Sequence, residues 1–215
     1  MRQKNLQPSA TIQLSTAFWP AILACALAAL VVTGCSSQAS TSSALPYPEV
    51  YQQLSESYAN DSKITPQMSE DKDTIATRFA KFRQLYADIH DPQLEQLIEE
   101  VYAESLYFND TLQTHTERRT LIDYLLETQE KVDFNRVEIH DITPNGNGYY
   151  VRWSMDTGFT VLNKQVKTHS IGITHVRLDR EGKVNFHQDF WDNTEGFFRH
   201  VPVVGYFIGK TKQRL

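Results

Sequence analysis

Apolar and polar residues alternate along residues 183–193, KVNFHQDFWDN, which predicts a β-strand with two unlike faces. One face carries the polar and aromatic residues Asn185, His187, Asp189 and Trp191. The opposite face carries Val184, Phe186, Gln188 and Phe190. An imidazole, a carboxylate and an indole on one strand face are typical of a pocket wall, so we expect this strand to hold the functional side chains.

A helix is predicted over residues 74–89, where apolar residues recur every three or four positions along one stripe. Asp71 and Asp73 supply a cap and negative charge at its start. Asp91 and Pro92 predict the start of a second helix with an apolar inner face, formed by Leu94, Leu97, Ile98, Val101 and Tyr102.

A capping-box pattern at residues 114–117 predicts the start of a third helix, which would end near Val132. Its helical spacing turns a further apolar set inward, namely Leu121, Ile122, Leu125 and Leu126.

Strand patterns occupy residues 105–110, 134–143, 149–159 and 166–178. Helices followed by strands with short turns predict an α+β domain, a cone-shaped curved antiparallel sheet wrapped by three N-terminal helices. A pocket would lie between the two layers. Because residues 166–178 are apolar on both faces, we expect a homodimer through the outer sheet face.

The first 35 residues predict a lipoprotein signal peptide, in which an uncharged apolar run at residues 17–32 is followed at once by Thr33, Gly34 and Cys35. This pattern resembles the bacterial lipobox, whose cysteine carries the acyl chains, palmitate among them, and becomes the new N-terminus. Ser36 after the cysteine favours, by that resemblance, the outer membrane with the domain facing the periplasm. An uncleaved anchor helix with an incidental Cys35 stays open as the alternative.

Residues 36–71 predict a flexible polar tether, with weak helical spacing at Tyr47, Val50, Tyr51, Leu54 and Tyr58. The pocket domain would then span residues 72–193. Residues 194–215 predict an apolar tail with a basic end. This tail either lies over the pocket mouth or sheet edge, or touches lipid.

Composition narrows the function classes. With 40% hydrophobic and 22% charged residues the chain is an ordinary globular protein, and its net charge of −5 argues against nucleic acid as a partner. Removal of the signal takes away Cys25 and lipidation would occupy Cys35, so thiol chemistry is excluded. The sequence has no phosphate-binding loop, dinucleotide fingerprint or convincing set of metal ligands, so we expect neither a cofactor nor a metal.

The order of the helices, the stretch YAESLYFND at residues 102–110 and the ending at residues 177–191 resemble the nuclear transport factor 2-like, SnoaL-like superfamily. The resemblance covers residues 73–193. It implies a cone-shaped α+β fold around a deep pocket.

Within that superfamily, the chain is similar to ketosteroid isomerase at several positions. The resemblance puts Asp110 at the position of the general base and Tyr86 at that of an oxyanion-hole tyrosine. The acid of the oxyanion hole would fall near Thr174, where this chain has none, so steroid isomerisation is not implied. Four residues are expected to line the pocket: Tyr86, Trp153, Thr174 and Trp191.

Asp110, His187 and Asp189 are the candidate catalytic residues. Two residues apart on a strand, the His187 and Asp189 side chains stand about 6–7 Å apart on one face, and with Asp110 opposite they could transfer a proton. The alternatives are a buried polar network without turnover for the pair, and a turn cap for Asp110. Simple packing is the alternative for Tyr86 and Trp191, and a surface or interface position is favoured over metal binding for His169 and His175.

Three functions stay open. The first is a lipid-anchored pocket domain that binds a small apolar molecule or an envelope partner without catalysis. The second is a cofactor-independent isomerase, dehydratase or hydrolase that uses Asp110 and the His187–Asp189 pair. The third is a structural module with a filled pocket, against which a cavity of about 300 Å³ or more would argue.

Overall fold

The computed structural model describes residues 47–59, 70–146 and 148–214. The predicted signal peptide, Cys35 and most of the predicted tether lie outside these ranges. None of the helices within them is long and apolar enough to cross a membrane.

Four helices come first, two strands and a fifth helix follow, and four consecutive strands precede the C-terminal helices. The helices are α1 (Tyr47–Ala59), α2 (Lys72–Arg78), α3 (Ala80–Ala87), α4 (Leu94–Val101), α5 (Arg118–Lys131), α6 (Asn193–Gly196) and α7 (Val204–Lys212), with a 3-10 turn at Phe198–His200. The strands are β1 (Tyr102–Asn109), β2 (Thr114–Glu117), β3 (Val132–Asn145), β4 (Gly148–Val161), β5 (Lys164–Leu178) and β6 (Val184–Trp191).

The strands form one sheet in the order β2-β1-β6-β5-β4-β3. Neighbours run antiparallel except for β1 and β6, which run parallel. Leu162 and Asn163 form the tight turn between β4 and β5 with φ angles of 48° and 62°, a conformation whose twist suits a hairpin. The predicted α+β class is therefore confirmed, with one parallel pairing that local sequence patterns do not reveal.

A single hydrophobic core joins the helices to the inner face of the sheet. The helices contribute residues such as Phe79, Phe82, Leu97, Ile98 and Leu121. The strands contribute Tyr102, Leu106, Phe108, Tyr149, Val151 and Val176. Full burial of one such large side chain is worth about 1.5–3 kcal/mol, so this shared interface holds the two layers together.

The helix predicted over residues 74–89 is broken at Phe79, where α2 ends and α3 begins. Phe79 is 1% exposed and its ring lies 4.9 Å from that of Tyr149 on β4. Arg78, the last residue of α2, donates a hydrogen bond to the Tyr149 hydroxyl. The prediction of one continuous helix was therefore wrong. The apolar spacing continues unchanged across the break, so the sequence pattern does not reveal it.

The capping box predicted at residues 114–117 is instead strand β2. Thr114 pairs with Asn109 in β1, and Asn109 Nδ2 donates to Thr114 Oγ1 at 2.8 Å. The following helix starts at Arg118, and Glu117 makes no side-chain cap. Pairing with β1 has therefore replaced local capping, a choice that depends on a strand outside the motif.

Helix α1 packs on the outer face of the sheet, although the sequence places it inside the flexible tether. The Tyr51 hydroxyl lies 2.7 Å from His175 Nδ1, and the Tyr51 ring lies 5.4 Å from that of Phe190. Arg177 donates to Ser55 Oγ at 2.9 Å. This part of the predicted tether is thus a packed element of the domain.

The outer sheet face is consequently only partly available to a second copy of the chain. Ile171 and Ile173 on β5 are 73% and 44% exposed, whereas His175 beside them is 3% exposed beneath α1. The expectation of a surface or interface position is therefore wrong for His175 and right for exposed His169, which pairs with Asp156 at 2.7 Å. The homodimer stays a prediction.

The tail turns back onto the domain before it forms α7. Phe197 lies 5.5 Å, ring to ring, from Phe159 on β4, and Phe198 follows it in the cavity wall. This placement agrees with a tail over the pocket. Tyr206 and Phe207 on α7 are each 64% exposed, and lipid contact by this helix stays a prediction.

Burial of His175 makes the stability of the domain depend on pH. Burial, helped by the positive charge of Arg177, lowers the pKa of His175 to about 4. Since that pKa lies below the ordinary value of about 6.5, the unfolded chain takes up a proton first as pH falls. Stability should therefore decline from about pH 6.5 to about pH 4, by up to about 3 kcal/mol from this group.

Urea unfolding at several pH values checks this dependence. The His175→Gln variant should lose this part of the decline, whereas the exposed control His169→Gln should keep it. Equal pH slopes in His175→Gln and the unsubstituted protein would contradict the assignment.

Candidate functional site

A cavity of about 610 Å³ lies between the inner face of the sheet and helices α3 and α5. Its walls are mostly apolar and aromatic, and tail residues 196–198 contribute to them. All residues that the sequence predicts for the site line this one cavity, namely Tyr86, Asp110, Trp153, Thr174, His187, Asp189 and Trp191. The structure therefore brings them together from one helix, three strands and the turn after β1.

The alternation of β6 accounts for the inward side chains. His187, Asp189 and Trp191 face the cavity, while Phe186 and Phe190 face α1 on the other side. His187 is 2% exposed and packs between rings, with Phe108 4.6 Å away, centroid to centroid. The chemistry of the site thus sits at the bottom of an aromatic pocket.

Asp189 has one occupied and one open carboxylate oxygen. Its Oδ1 accepts hydrogen bonds from Thr174 Oγ1 at 2.5 Å and His187 Nε2 at 3.0 Å. Its Oδ2 accepts none from the described part of the chain, and the side chain is 15% exposed. The open oxygen is therefore available to a molecule in the cavity.

A line of hydrogen bonds runs from Tyr86 to Asp189 through buried groups. The Tyr86 and Tyr102 hydroxyls lie 2.5 Å apart, and the Tyr102 hydroxyl lies 2.8 Å from His187 Nδ1. Burial raises the pKa of Tyr86 and of Tyr102 well above the ordinary value, so both hydroxyls keep their protons.

The direction of this line follows from its end. Because the Asp189 carboxylate can only accept, the hydrogen of its bond with His187 lies on Nε2, and with that tautomer Nδ1 accepts from the Tyr102 hydroxyl. Tyr86 then donates to Tyr102. All bonds point toward Asp189, and aligned bonds of this kind strengthen one another.

Thr174 completes the support of Asp189 from the other side. Trp153 Nε1 donates to Thr174 Oγ1 at 2.8 Å, which leaves the hydroxyl hydrogen for Asp189. The sequence resemblance marks Thr174 only as the position of a missing acid. In the structure its hydroxyl orients a carboxylate that comes from the neighbouring strand.

Asp110 serves as the cap of the turn that follows β1, which is the alternative that the sequence leaves open. Its Oδ1 accepts from the backbone N–H groups of Leu112 and Gln113 at 2.9 and 2.8 Å. Its Oδ2 accepts from the Tyr124 hydroxyl at 2.5 Å, and Trp191 Nε1 donates to its backbone oxygen at 2.8 Å. Three of the four lone-pair positions of this carboxylate are therefore occupied, whereas the described residues occupy two on Asp189.

Two glycines let the tryptophans form the cavity wall. A Cβ on Gly172 would lie 2.3 Å from Trp153 Cζ2, and one on Gly196 would lie 2.4 Å from Trp191 Cζ3. Because contacts this short do not occur between real atoms, any larger residue would displace the indole. The local backbone thus fixes where both rings stand.

Tyr102 and Tyr124 are site residues that sequence patterns did not single out. In the sequence, Tyr102 continues the apolar stripe of α4, whereas in the structure it is the first residue of β1. Tyr124 lies three residues after Leu121, on the stripe that the helical spacing turns inward. That spacing is the one signal that could have placed Tyr124 in the pocket.

Within the described residues, no group of three or more His, Cys, Asp or Glu side chains is arranged to hold a metal ion. The arrangement instead offers one open carboxylate oxygen within a mostly apolar cavity.

Comparison with known proteins gives likeness at the level of the fold. No protein-family model and no curated protein matches the chain. Among solved structures, it is similar to an NTF2-like protein of unknown function from Exiguobacterium sp. 255-15, with 12% identity, a TM-score of 0.47, and coverage of 54% of this chain and 98% of that one.

Two further solved structures have comparable likeness. A structure described as a SnoaL-like polyketide cyclase from Shewanella putrefaciens CN-32 is 16% identical, with a TM-score of 0.46 and coverage of 71% of this chain and 92% of that one. An LEH-like epoxide hydrolase from M. tuberculosis is 16% identical, with a TM-score of 0.42 and coverage of 56% and 80%. Proteins described as NTF2-like and SnoaL-like are thus among the solved structures to which the chain is similar.

Removal of one hydroxyl from the buried line should weaken the fold. Tyr102→Phe leaves His187 Nδ1 without its donor and Tyr86 without its acceptor, so we expect a loss of about 1–3 kcal/mol in the free energy of unfolding. Urea denaturation measures it. The control Tyr150→Phe, on strand β4 of the same sheet, removes a hydroxyl outside this line and should cost less than about 0.5 kcal/mol. Equal losses in the two variants would show that the line does not stabilise the domain.

Proposed function

We propose that the domain binds one small, largely apolar molecule in the cavity and places a polar group of that molecule against the open oxygen of Asp189. The observation that carries this proposal is a cavity of about 610 Å³ that ends at a single unoccupied carboxylate oxygen. Ligand pockets combine such apolar walls with few polar groups that fix orientation. The filled-pocket alternative is disfavoured by this volume.

A second candidate function is proton transfer without a cofactor. Asp189 has the geometry for it because Thr174 and His187 hold Oδ1 and leave Oδ2 free to take a proton from a substrate or a water molecule. His187 would act as a positioning residue, since both of its ring nitrogens are already hydrogen-bonded. Isomerase, dehydratase or hydrolase chemistry would therefore centre on Asp189 rather than on Asp110.

The location proposed for this pocket is the bacterial envelope. The lipobox-like residues Thr33, Gly34 and Cys35 support a lipid anchor, and Ser36 supports the outer membrane with the domain facing the periplasm. Acyl chains contribute about 0.8 kcal/mol per buried CH₂, which makes such an anchor firm. The alternative to a small molecule is that the domain binds an envelope protein.

Native mass spectrometry of the full chain purified from its host tests ligand binding. We expect a retained molecule with one-to-one stoichiometry. Val137→Trp should abolish retention because it adds an indole to the cavity wall, whereas Glu138→Gln on the outward side of β3 should retain it. Absence of any retained or exchangeable molecule, or equal retention in both variants, would count against the proposal.

Intact mass measurement of the mature protein tests the anchor. Loss of residues 1–34 together with added acyl mass on Cys35 is the expected result. In Cys35→Ala the acyl mass should disappear. A mature chain that still contains residues 1–34 would support an uncleaved anchor helix instead.

A further inference from the structure

The cavity contains two carboxylates, and the one lysine or arginine among its described lining residues is paired with a third carboxylate. Asp110 and Asp189 both line it. Lys131 is the one lysine or arginine among the described lining residues, and its Nζ lies 2.6 Å from Glu127 Oε1 outside the cavity.

The negative charges of Asp110 and Asp189 act on the same two buried tyrosines. After the larger effect of burial, Asp110 and Asp189 together help to raise the pKa of Tyr86 and of Tyr102. Groups on α3 and β1 thus experience the same field. A molecule that enters the cavity would experience it as well.

Aromatic rings surround the two acids. The Tyr124 hydroxyl and the Trp191 indole N–H both donate to Asp110, and Trp153 reaches Asp189 through Thr174. Trp153 and Trp191 stand 6.5 Å apart, centroid to centroid. Both acids therefore share the cavity with aromatic rings.

Carboxylates in a low-dielectric cavity favour a positive partner, because buried charge is costly unless it is paired. Ring faces attract cations as well, and aromatic boxes are a known means of binding ammonium groups. A neutral alcohol could donate to Asp189 but would leave both charges unbalanced. A phosphate-bearing lipid headgroup would bring a third negative charge into the same space.

We propose that the cavity selects an organic ammonium compound, in which an apolar body fills the pocket and a free amine or quaternary nitrogen lies between Asp189, Asp110 and the surrounding rings. This inference rests on the proposed function, that the cavity holds a small molecule, and names the class of that molecule. It commits to a free amine rather than a phospholipid headgroup.

A pair of isosteric probes isolates the contribution of charge. The cation (3-hydroxyphenyl)trimethylammonium and the neutral 3-tert-butylphenol share their shape and differ in one central atom. Binding to the full chain is followed by tryptophan fluorescence, since Trp153 and Trp191 line the cavity. We expect the cation to bind at least about 10-fold more tightly than its neutral isostere, in the range that cation–π contact and a carboxylate together supply.

The variant Asp189→Asn keeps the side-chain shape and removes one charge. It should reduce the ratio of the two affinities, cation over neutral isostere, to less than about 3-fold, because both probes lose the same hydrogen-bond acceptor but only the cation loses an opposite charge. The control Asp156→Asn removes a charge from the exposed end of an ion pair on β4 and should leave the preference as it is. A thermal melt of each variant verifies folding. The ratio of the two probe affinities in the unsubstituted protein tests the preference for the cation without any variant.

The outcomes separate the inference from the function on which it rests. If neither probe binds, the proposed function fails together with the inference. If the neutral probe binds as tightly as the cation, the pocket binds small molecules but the inference is overturned. A cation preference that persists in Asp189→Asn also overturns it, as does tighter binding of phosphocholine than of choline.

Discussion

The burial of one carboxylate is the constraint on which the rest of the site depends. Removal of an ionised Asp189 from water costs several kcal/mol unless donors replace the lost water molecules. Thr174 and His187 supply those donors, and they can do so because Thr174 pairs directly opposite Asp189 in the ladder between β5 and β6. A slip of one residue in that ladder would turn these side chains to the outer face. The register of β5 against β6 therefore determines which polar groups meet in the pocket.

Strand β6 connects the pocket to the helix on the outer face. Phe186 lies next to the cavity-facing His187 and points to the opposite face, where its ring contacts those of Tyr51 and Tyr58 on α1 and stacks on Tyr107 at 5.1 Å. His175 also lies under α1, two positions from Arg177, which bonds to Ser55. The segment that leads to the N-terminal part of the chain thus rests on the back of the strand that carries His187 and Asp189. Changes in the packing of α1 would be felt first by that strand.

The two carboxylates of the cavity have different tasks. The Asp110 carboxylate accepts from two backbone N–H groups of the turn after β1 at one oxygen and from Tyr124 at the other, so both carboxylate oxygens carry hydrogen bonds. Its backbone oxygen accepts from Trp191. Asp189 is held at one oxygen only, and the other remains available. The resemblance to ketosteroid isomerase directs attention to Asp110, whereas the hydrogen bonds favour Asp189 as the group that meets a ligand. Tyr86, the expected oxyanion-hole residue, has its hydroxyl bound to Tyr102 and would have to release it to serve a substrate.

The sequence by itself determined the α+β class, the helical stripes and the inward face of β6, because these follow from side-chain periods of 3.6 and 2 that are local to each element. It could not determine the break at Phe79, the strand at Thr114–Glu117 or the burial of His175, since each depends on a contact with a distant segment: Tyr149, Asn109 and Tyr51 respectively. The open oxygen of Asp189 also depends on a contact with another segment. Local spacing brought Asp189 into the pocket, but only the pairing of β5 with β6 decided which of its oxygens Thr174 would occupy and which would stay free.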